Sequence, residues 1–251
     1  MKGIFHVDQS RYDFVKSLGY DHVEVSFFAC YGGGGLLEIA SKISAALDLG
    51  LTPIVHYDWF GRRSSEFAQI ALPFVEKITK DFGAGNVVWY EDEPNQAAEG
   101  KLRREPWQIM ELYNRIKKID SRNRFMICVS PVNDVTIPKW RFWDRKSYKL
   151  YRDCADLIAV DFYRTPKELC WHLWRHVDGV VSASKLIAIP ALKKGPEYID
   201  RTHEIFKRYC PMGYMDYSFG LNGGEWSPDR KDKNLADYPE WMDTVRKVNS
   251  T

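Results

Sequence analysis

Short apolar runs recur along the chain at residues 3–7, 22–27, 52–57, 86–90, 124–129, 157–162, 186–190 and 212–217. Each is followed by a stretch with helical spacing of its apolar positions, or by a loop. The spacing predicts helices over 10–18, closed by Gly19, over 36–49, closed by Gly50, and over 65–82, closed by Gly83. Further helices are predicted over 106–119, from Pro196 to just before Tyr209, and over 239–248. Ser10 and Asp13 stand in capping-box spacing, and Thr165-Pro166-Lys167-Glu168 is a second box with proline at the first helical position. Strands that alternate with helices make a parallel sheet. Eight such units in 251 residues match the count and length of a single (β/α)8 barrel, an α/β fold. The competing doubly wound sheet usually carries a glycine-rich phosphate turn after its first strand. Here Asp8-Gln9-Ser10-Arg11 follows instead. There is no repeat, low-complexity tract or linker, so residues 1–251 read as one domain. The loops expected over its active face are 29–35, 59–64, 91–105, 131–147 and 219–237.

In such a barrel the chemistry sits at the carboxyl ends of the strands. The fourth run ends in Glu91-Asp92-Glu93 and is stopped by Pro94. Adjacent carboxylates repel, and general acid–base chemistry is the natural use of such a cluster. A solvated acidic turn is the plainer alternative. Polar pairs two residues apart share one face of a strand. His6/Asp8, His56/Asp58, Glu91/Glu93, Asp161/Tyr163 and Asp216/Ser218 all have this spacing at the same end of their strands. The second strand carries Glu24 and Ser26, the fifth ends at Ser130, and the seventh ends in apolar Ile189-Pro190-Ala191-Leu192. Each group also has a structural use. Asp8 suits the N-cap of the first helix, His6 and His56 suit interior hydrogen bonds, and Asp161 and Asp216 suit an interior arginine.

Composition narrows the ligand. A net charge of +2 gives no reason to expect a nucleic-acid partner. Aromatic residues make up 14% of the chain, with nine tryptophans. Trp226, in the loop Asn222-Gly223-Gly224-Glu225-Trp226, and Trp140 and Trp143 are candidate platforms for sugar rings. The glycines at 32–35 precede a helix but lack the Gly-Lys-Ser/Thr ending of a phosphate loop. The five cysteines (30, 128, 154, 170 and 210) are scattered, so a structural zinc site is not expected, nor is a cofactor. No signal-peptide-like start and no apolar run long enough to cross a membrane is present. The expectation is a cytoplasmic protein with no membrane partner, or one released without a signal.

The strand-four carboxylates with Pro94 resemble the Asn-Glu-Pro signature of barrel glycoside hydrolases. The resemblance puts Asp92 at the Asn position, Glu93 at the acid/base and Pro94 at the proline. The Asp-Glu pair is also similar to that of hexosaminidase-type glycosidases, which implies that Asp92 orients an N-acetyl group of the substrate. The chain departs from the Asn-Glu-Pro pattern at strand seven, where the nucleophilic glutamate is replaced by Pro190-Ala191-Leu192. The first and last strands, around Val7-Asp8 and Asp216-Tyr217-Ser218, resemble those of barrel lysozymes that cleave peptidoglycan. The resemblance implies cleavage of a glycosidic bond, with Glu93 as acid and Asp92 orienting the substrate or stabilising the transition state. Asp161 or Asp216 would be the second carboxylate. Glu91, Asp8, His56, Asp58, Tyr163, Tyr214 and Trp226 would line the carbohydrate site. Two alternatives stand beside it. One is a metal-dependent barrel hydrolase or sugar isomerase using His6, Asp8, His56, Asp58, Glu91 and Glu93, since 19–24 resembles the second strand of xylose-isomerase-like barrels. The other is a non-catalytic carbohydrate-binding barrel.

Overall fold

The structure, a computed structural model, describes residues 1–5, 7–26, 35–56, 64–95, 97–98, 101–102, 104–129, 146–161, 165–190, 195–216 and 239–251. Eight parallel strands close into a barrel: β1 (Lys2–Ile4), β2 (His22–Ser26), β3 (Thr52–His56), β4 (Val88–Glu91), β7 (Arg124–Val129), β8 (Leu157–Asp161), β9 (Leu186–Ile189) and β10 (Tyr214–Asp216). A small antiparallel hairpin, β5 (Ala97–Ala98) and β6 (Lys101–Leu102), sits between β4 and the next helix. The helices are α1 (Tyr12–Ser17), α2 (Gly35–Asp48), α3 (Ser64–Phe82), α4 (Pro106–Ile119), α5 (Lys146–Tyr151), α6 (Pro166–His172), α7 (Pro196–Tyr209) and α8 (Pro239–Ser250).

The expected single (β/α)8 barrel is therefore the fold, and the local corrections have physical reasons. Asp8 caps a short 3-10 turn (Gln9–Arg11), so α1 starts two residues later than predicted, at Tyr12. The box at Thr165 forms as read: the Glu168 amide donates to Thr165 Oγ1 (3.3 Å) and the Thr165 amide to Glu168 Oε2 (3.1 Å). A similar box at Glu105 and Gln108 opens α4. The hairpin falls inside a stretch read as loop and α5 starts at the end of another, because neither is long enough to show a hydrophobic period. A π-type turn, Leu173–Val177, continues α6.

Strands in this barrel are apolar on both faces, which is what burial between a filled interior and a helical shell demands. Val23, Val25, Val55, Trp89, Ile127, Ile158 and Val160 point outward into one cluster with the helices. Phe5, Ile54, Val88, Tyr90, Met126, Cys128, Ala159, Ile189 and Met215 point inward and fill the barrel. Gly3 allows the floor to close. A Cβ there would lie 1.9 Å from Met215 Sδ, so any side chain would displace the methionine that plugs the barrel. These two clusters fix, for every strand, which residues face the interior.

Candidate active site

Alternation along each strand carries the interior face up to the mouth at the carboxyl ends. On β2, Glu24 lies between the outward Val23 and Val25, and is 1% exposed. On β3, His56 follows the outward Val55 and is buried. Glu24 Oε1 and His56 Nδ1 are 2.9 Å apart. The His56 ring meets the edge of the Tyr90 ring at 4.9 Å, and Phe5 packs on the same tyrosine at 5.3 Å. Tyr90 in turn donates its hydroxyl to Asp92 Oδ1 at 2.7 Å. A ladder of Glu24, His56, Tyr90 and Asp92 thus climbs across three neighbouring strands to the mouth. On the other side of the barrel, Asp161 follows the inward Ala159 by two residues and closes β8.

Glu93 departs from the alternation. Its φ of +42° puts it in the left-handed region, where no other described non-glycine residue stands. Such a conformation costs roughly 1–3 kcal/mol and persists only where the surroundings impose it. Here they do. Arg104 donates its amide to the Pro94 carbonyl (2.9 Å), and the Tyr151 hydroxyl from α5 bonds the Arg104 carbonyl. The Arg104 side chain lies 3.6 Å from Glu91, both buried. This clamp holds the turn after β4. Continued pleating would send Glu93 outward after Glu91; the left-handed turn breaks that alternation.

Cys128 records where these charges lie. Burial raises its thiol pKa well above the ordinary value, and the charges of Asp161, Asp92 and Glu93 push it further in the same direction. Tyr90 is raised likewise by burial, then by Asp92, with Cys128 and Asp161 contributing. One interior position therefore senses all three carboxylates. Glu24 adds a fourth buried or half-buried carboxylate, on the inward face of β2. Such a mouth favours positive charge developing on a bound substrate.

Several sequence-predicted residues lie elsewhere. Asp216 follows the inward Met215 and so points outward, away from the mouth. It is 1% exposed, accepts from the Tyr20 hydroxyl at 2.5 Å, and faces His203 Nε2 at 3.3 Å. Tyr214 points the same way, its ring 4.4 Å from His203 and its hydroxyl on Asn249. Glu91 faces outward to Arg104, for the alternation that puts Tyr90 inside puts Glu91 outside. Asp8 is exposed, and its carboxylate accepts from the Ser10 amide (2.9 Å) and hydroxyl (2.6 Å), the hydrogen bonds that lower its pKa. Asp216, Tyr214 and Glu91 are corrections to the expected lining, while Asp8 caps the turn that follows β1. Asp58, Tyr163 and Trp226 lie outside the described residues, as do His6, Ser130, Trp140, Trp143 and Ser218. Among the described residues, no three His, Cys, Asp or Glu side chains converge as a metal ion would need.

Sequence reasoning singled out His56 but left Glu24, Tyr90 and Cys128 out of the site. Glu24 had a signal: a charged residue between two valines in a fully buried strand has only the interior to face. Tyr90 and Cys128 had none, since they are apolar-compatible residues within apolar runs.

No family model and no curated protein sequence matches the chain. Solved structures match it in fold. A β-mannanase from Streptomyces thermolilacinus superposes with a TM-score of 0.65 over 100% of this chain and 91% of that one, at 17% identity. An endoglucanase does so with a TM-score of 0.62 over 97% and 96%, at 13% identity. A Thermomonospora fusca β-mannanase in complex with mannohexaose gives 0.62 over 89% and 80%, at 15% identity. The carboxylate-bearing mouth thus stands on a (β/α)8 barrel built like those of β-mannanases and an endoglucanase.

Proposed function

We propose that this chain is a glycoside hydrolase that cleaves a polysaccharide at the barrel mouth. The observation that carries the reading is geometric: Asp92, held by the hydroxyl of the inward Tyr90, and Asp161, on the inward face at the end of β8, both stand at the carboxyl ends of the barrel strands. The fold likeness to β-mannanases and an endoglucanase supports it. In this reading Glu93 donates its proton to the glycosidic oxygen as the C–O bond breaks. Asp92, fixed by the Tyr90 hydroxyl, hydrogen-bonds the sugar and stabilises the oxocarbenium-like transition state. Asp161 is the second carboxylate. It either takes the proton of the attacking water or adds to the anomeric carbon, and the two roles give opposite stereochemistry. Asp161 is favoured over Asp216 because the latter is engaged outside the wall by Tyr20 and His203.

The test is reducing-sugar release from a panel of β-linked polysaccharides, including mannan, glucan, chitin and peptidoglycan, by wild type and Glu93→Gln. The reading expects cleavage of at least one polymer by wild type and a loss of roughly a thousandfold in the variant, an effect in the range of losing a general acid. NMR of the first product anomer then fixes the role of Asp161. Cleavage that survives in Glu93→Gln removes Glu93 from the acid role. No cleavage of any polymer favours a binding barrel.

A further inference from the structure

The parallel register sets three polar groups in a row on the inner wall. Glu24 pairs with Ile54 and Ser26 with His56, so Glu24 lies one pleat below His56. His56 in turn stands level with Tyr90 on the next strand. The contacts follow that register. Glu24 Oε1 and His56 Nδ1 are 2.9 Å apart. A carboxylate only accepts, so the imidazole presents its Nδ1–H there, and that bond sets the tautomer and orientation of the ring. The ring so held meets Tyr90 at 4.9 Å and 67°, an edge contact that restricts the tilt of the phenol. The phenol donates to Asp92 Oδ1 at 2.7 Å.

Burying the pair does not serve stability. Removing a carboxylate and an imidazole from water costs about as much as their attraction returns, and two apolar side chains fill such a space as well. Ile54, the register partner of Glu24, is such a side chain on the same inward face. What apolar residues do not supply is a fixed ring orientation beneath Tyr90. We propose that Glu24 is a positioning residue for Asp92: it holds the His56 imidazole, which holds the Tyr90 ring, whose hydroxyl fixes the carboxylate at the mouth. The inference rests on the glycoside hydrolase reading for the part Asp92 plays in cleavage, whereas the hold of Glu24 on Tyr90 is measurable without any substrate.

The experiment has one arm without substrate and one with it. Carbon NMR of protein labelled at the tyrosine ring carbon that bears the hydroxyl reads the Tyr90–Asp92 bond in the free protein. The Tyr90 signal is identified by its loss in Tyr90→Phe, and its position without the bond by Asp92→Asn. In Glu24→Leu the signal is expected to move toward the Asp92→Asn position. In Glu24→Gln, whose amide oxygen still accepts from His56, it is expected to stay near wild type. On a cleaved polysaccharide, Glu24→Leu is expected to lower kcat about tenfold with KM within about twofold of wild type. Glu24→Gln is expected to recover most of that loss. Glu24→Leu is expected to add nothing on top of Tyr90→Phe, because both act through one contact. Glu24→Leu/His56→Leu, which leaves no charge buried alone, supplies the same readouts if thermal unfolding shows Glu24→Leu unfolded. An unmoved Tyr90 signal in the folded variants, a loss confined to KM, or a loss that adds to that of Tyr90→Phe overturns the proposal. A wild type that cleaves no polymer removes the glycosidase reading alone, and the Tyr90 signal still decides whether Glu24 holds the tyrosine on Asp92.

Discussion

Asp216→Asn separates a structural carboxylate from a catalytic one. In the wild type Asp216 is 1% exposed and has two partners, the Tyr20 hydroxyl at 2.5 Å and His203 Nε2 at 3.3 Å. His203 Nδ1 lies 2.7 Å from the Ile199 carbonyl, so it carries a proton and leaves Nε2 for the carboxylate. Burial alone would lower the pKa of His203. The Asp216 charge and hydrogen bond, with the Ile199 carbonyl, outweigh it and leave the pKa raised. The pair joins β10 to α7, and Tyr20 ties both to the segment after α1. Breaking a buried ion pair costs about 3–5 kcal/mol, because one charge is left uncompensated. The asparagine keeps the shape and one acceptor for Tyr20, so the low end applies, about 3 kcal/mol. For a chain of this size that is a fall in Tm of about 6–12 °C, at 2–4 °C per kcal/mol.

The pH dependence gives a second readout. A histidine whose folded pKa is raised contributes stability that is fully present below its unfolded value of about 6.5, and lost as pH rises through the folded value. The stability gap between wild type and Asp216→Asn is therefore expected to be widest at about pH 6 and to narrow on the alkaline side. Urea unfolding of both proteins from about pH 6 to about pH 9 measures it. A variant as stable as wild type at every pH, yet inactive, would refute the reasoning and return Asp216 to the mouth.

Four further outcomes are expected. Tyr90→Phe removes the hydroxyl that holds Asp92 at 2.7 Å, so kcat on the best substrate should fall by about ten- to a hundredfold, as expected when a positioning contact is lost, while Tm moves little. Arg104→Met removes the buried cation 3.6 Å from Glu91 and loosens the turn at Glu93. Stability should fall by about 3 kcal/mol or more in urea unfolding, and activity with it. Gly3→Ala forces Met215 out of place, and an overpacking cost of about 1–3 kcal/mol should appear as a lower denaturation midpoint. Thr165→Ala removes the side-chain cap of α6 and should cost about 1 kcal/mol by the same assay, without touching the mouth.

The barrel was legible because its strands are short apolar runs separated by helices whose glycine closures stand in the sequence, as at Gly19, Gly50 and Gly83. The site was legible only in part. Spacing by two shows that Glu91 and Glu93 belong to one face of a pleated strand, but not which face looks inward. Both faces of β4 are apolar: Trp89 packs outward against Phe74 at 5.7 Å, while Tyr90 fills the interior. Nothing local distinguishes them. The same ambiguity put Asp216 and Tyr214 on the wrong side of the wall. Their true partners, Tyr20, His203 and Asn249, come from elements that only the closed barrel brings together. Glu93 is the converse case. Its left-handed backbone breaks the alternation, and the clamp that imposes it rests on Arg104, in a stretch read as loop, and on Tyr151, in a helix too short to show a period.

The central claim is that cleavage depends on carboxylates inside the mouth and not on the carboxylate outside its wall. The most direct test compares kcat/KM of Asp161→Asn and Asp216→Asn on one cleaved polysaccharide, at a temperature where thermal unfolding shows both variants folded. The account predicts a loss of roughly a thousandfold or more for Asp161→Asn, as for a second catalytic carboxylate, and near-wild-type activity for folded Asp216→Asn. The reverse pattern would contradict it.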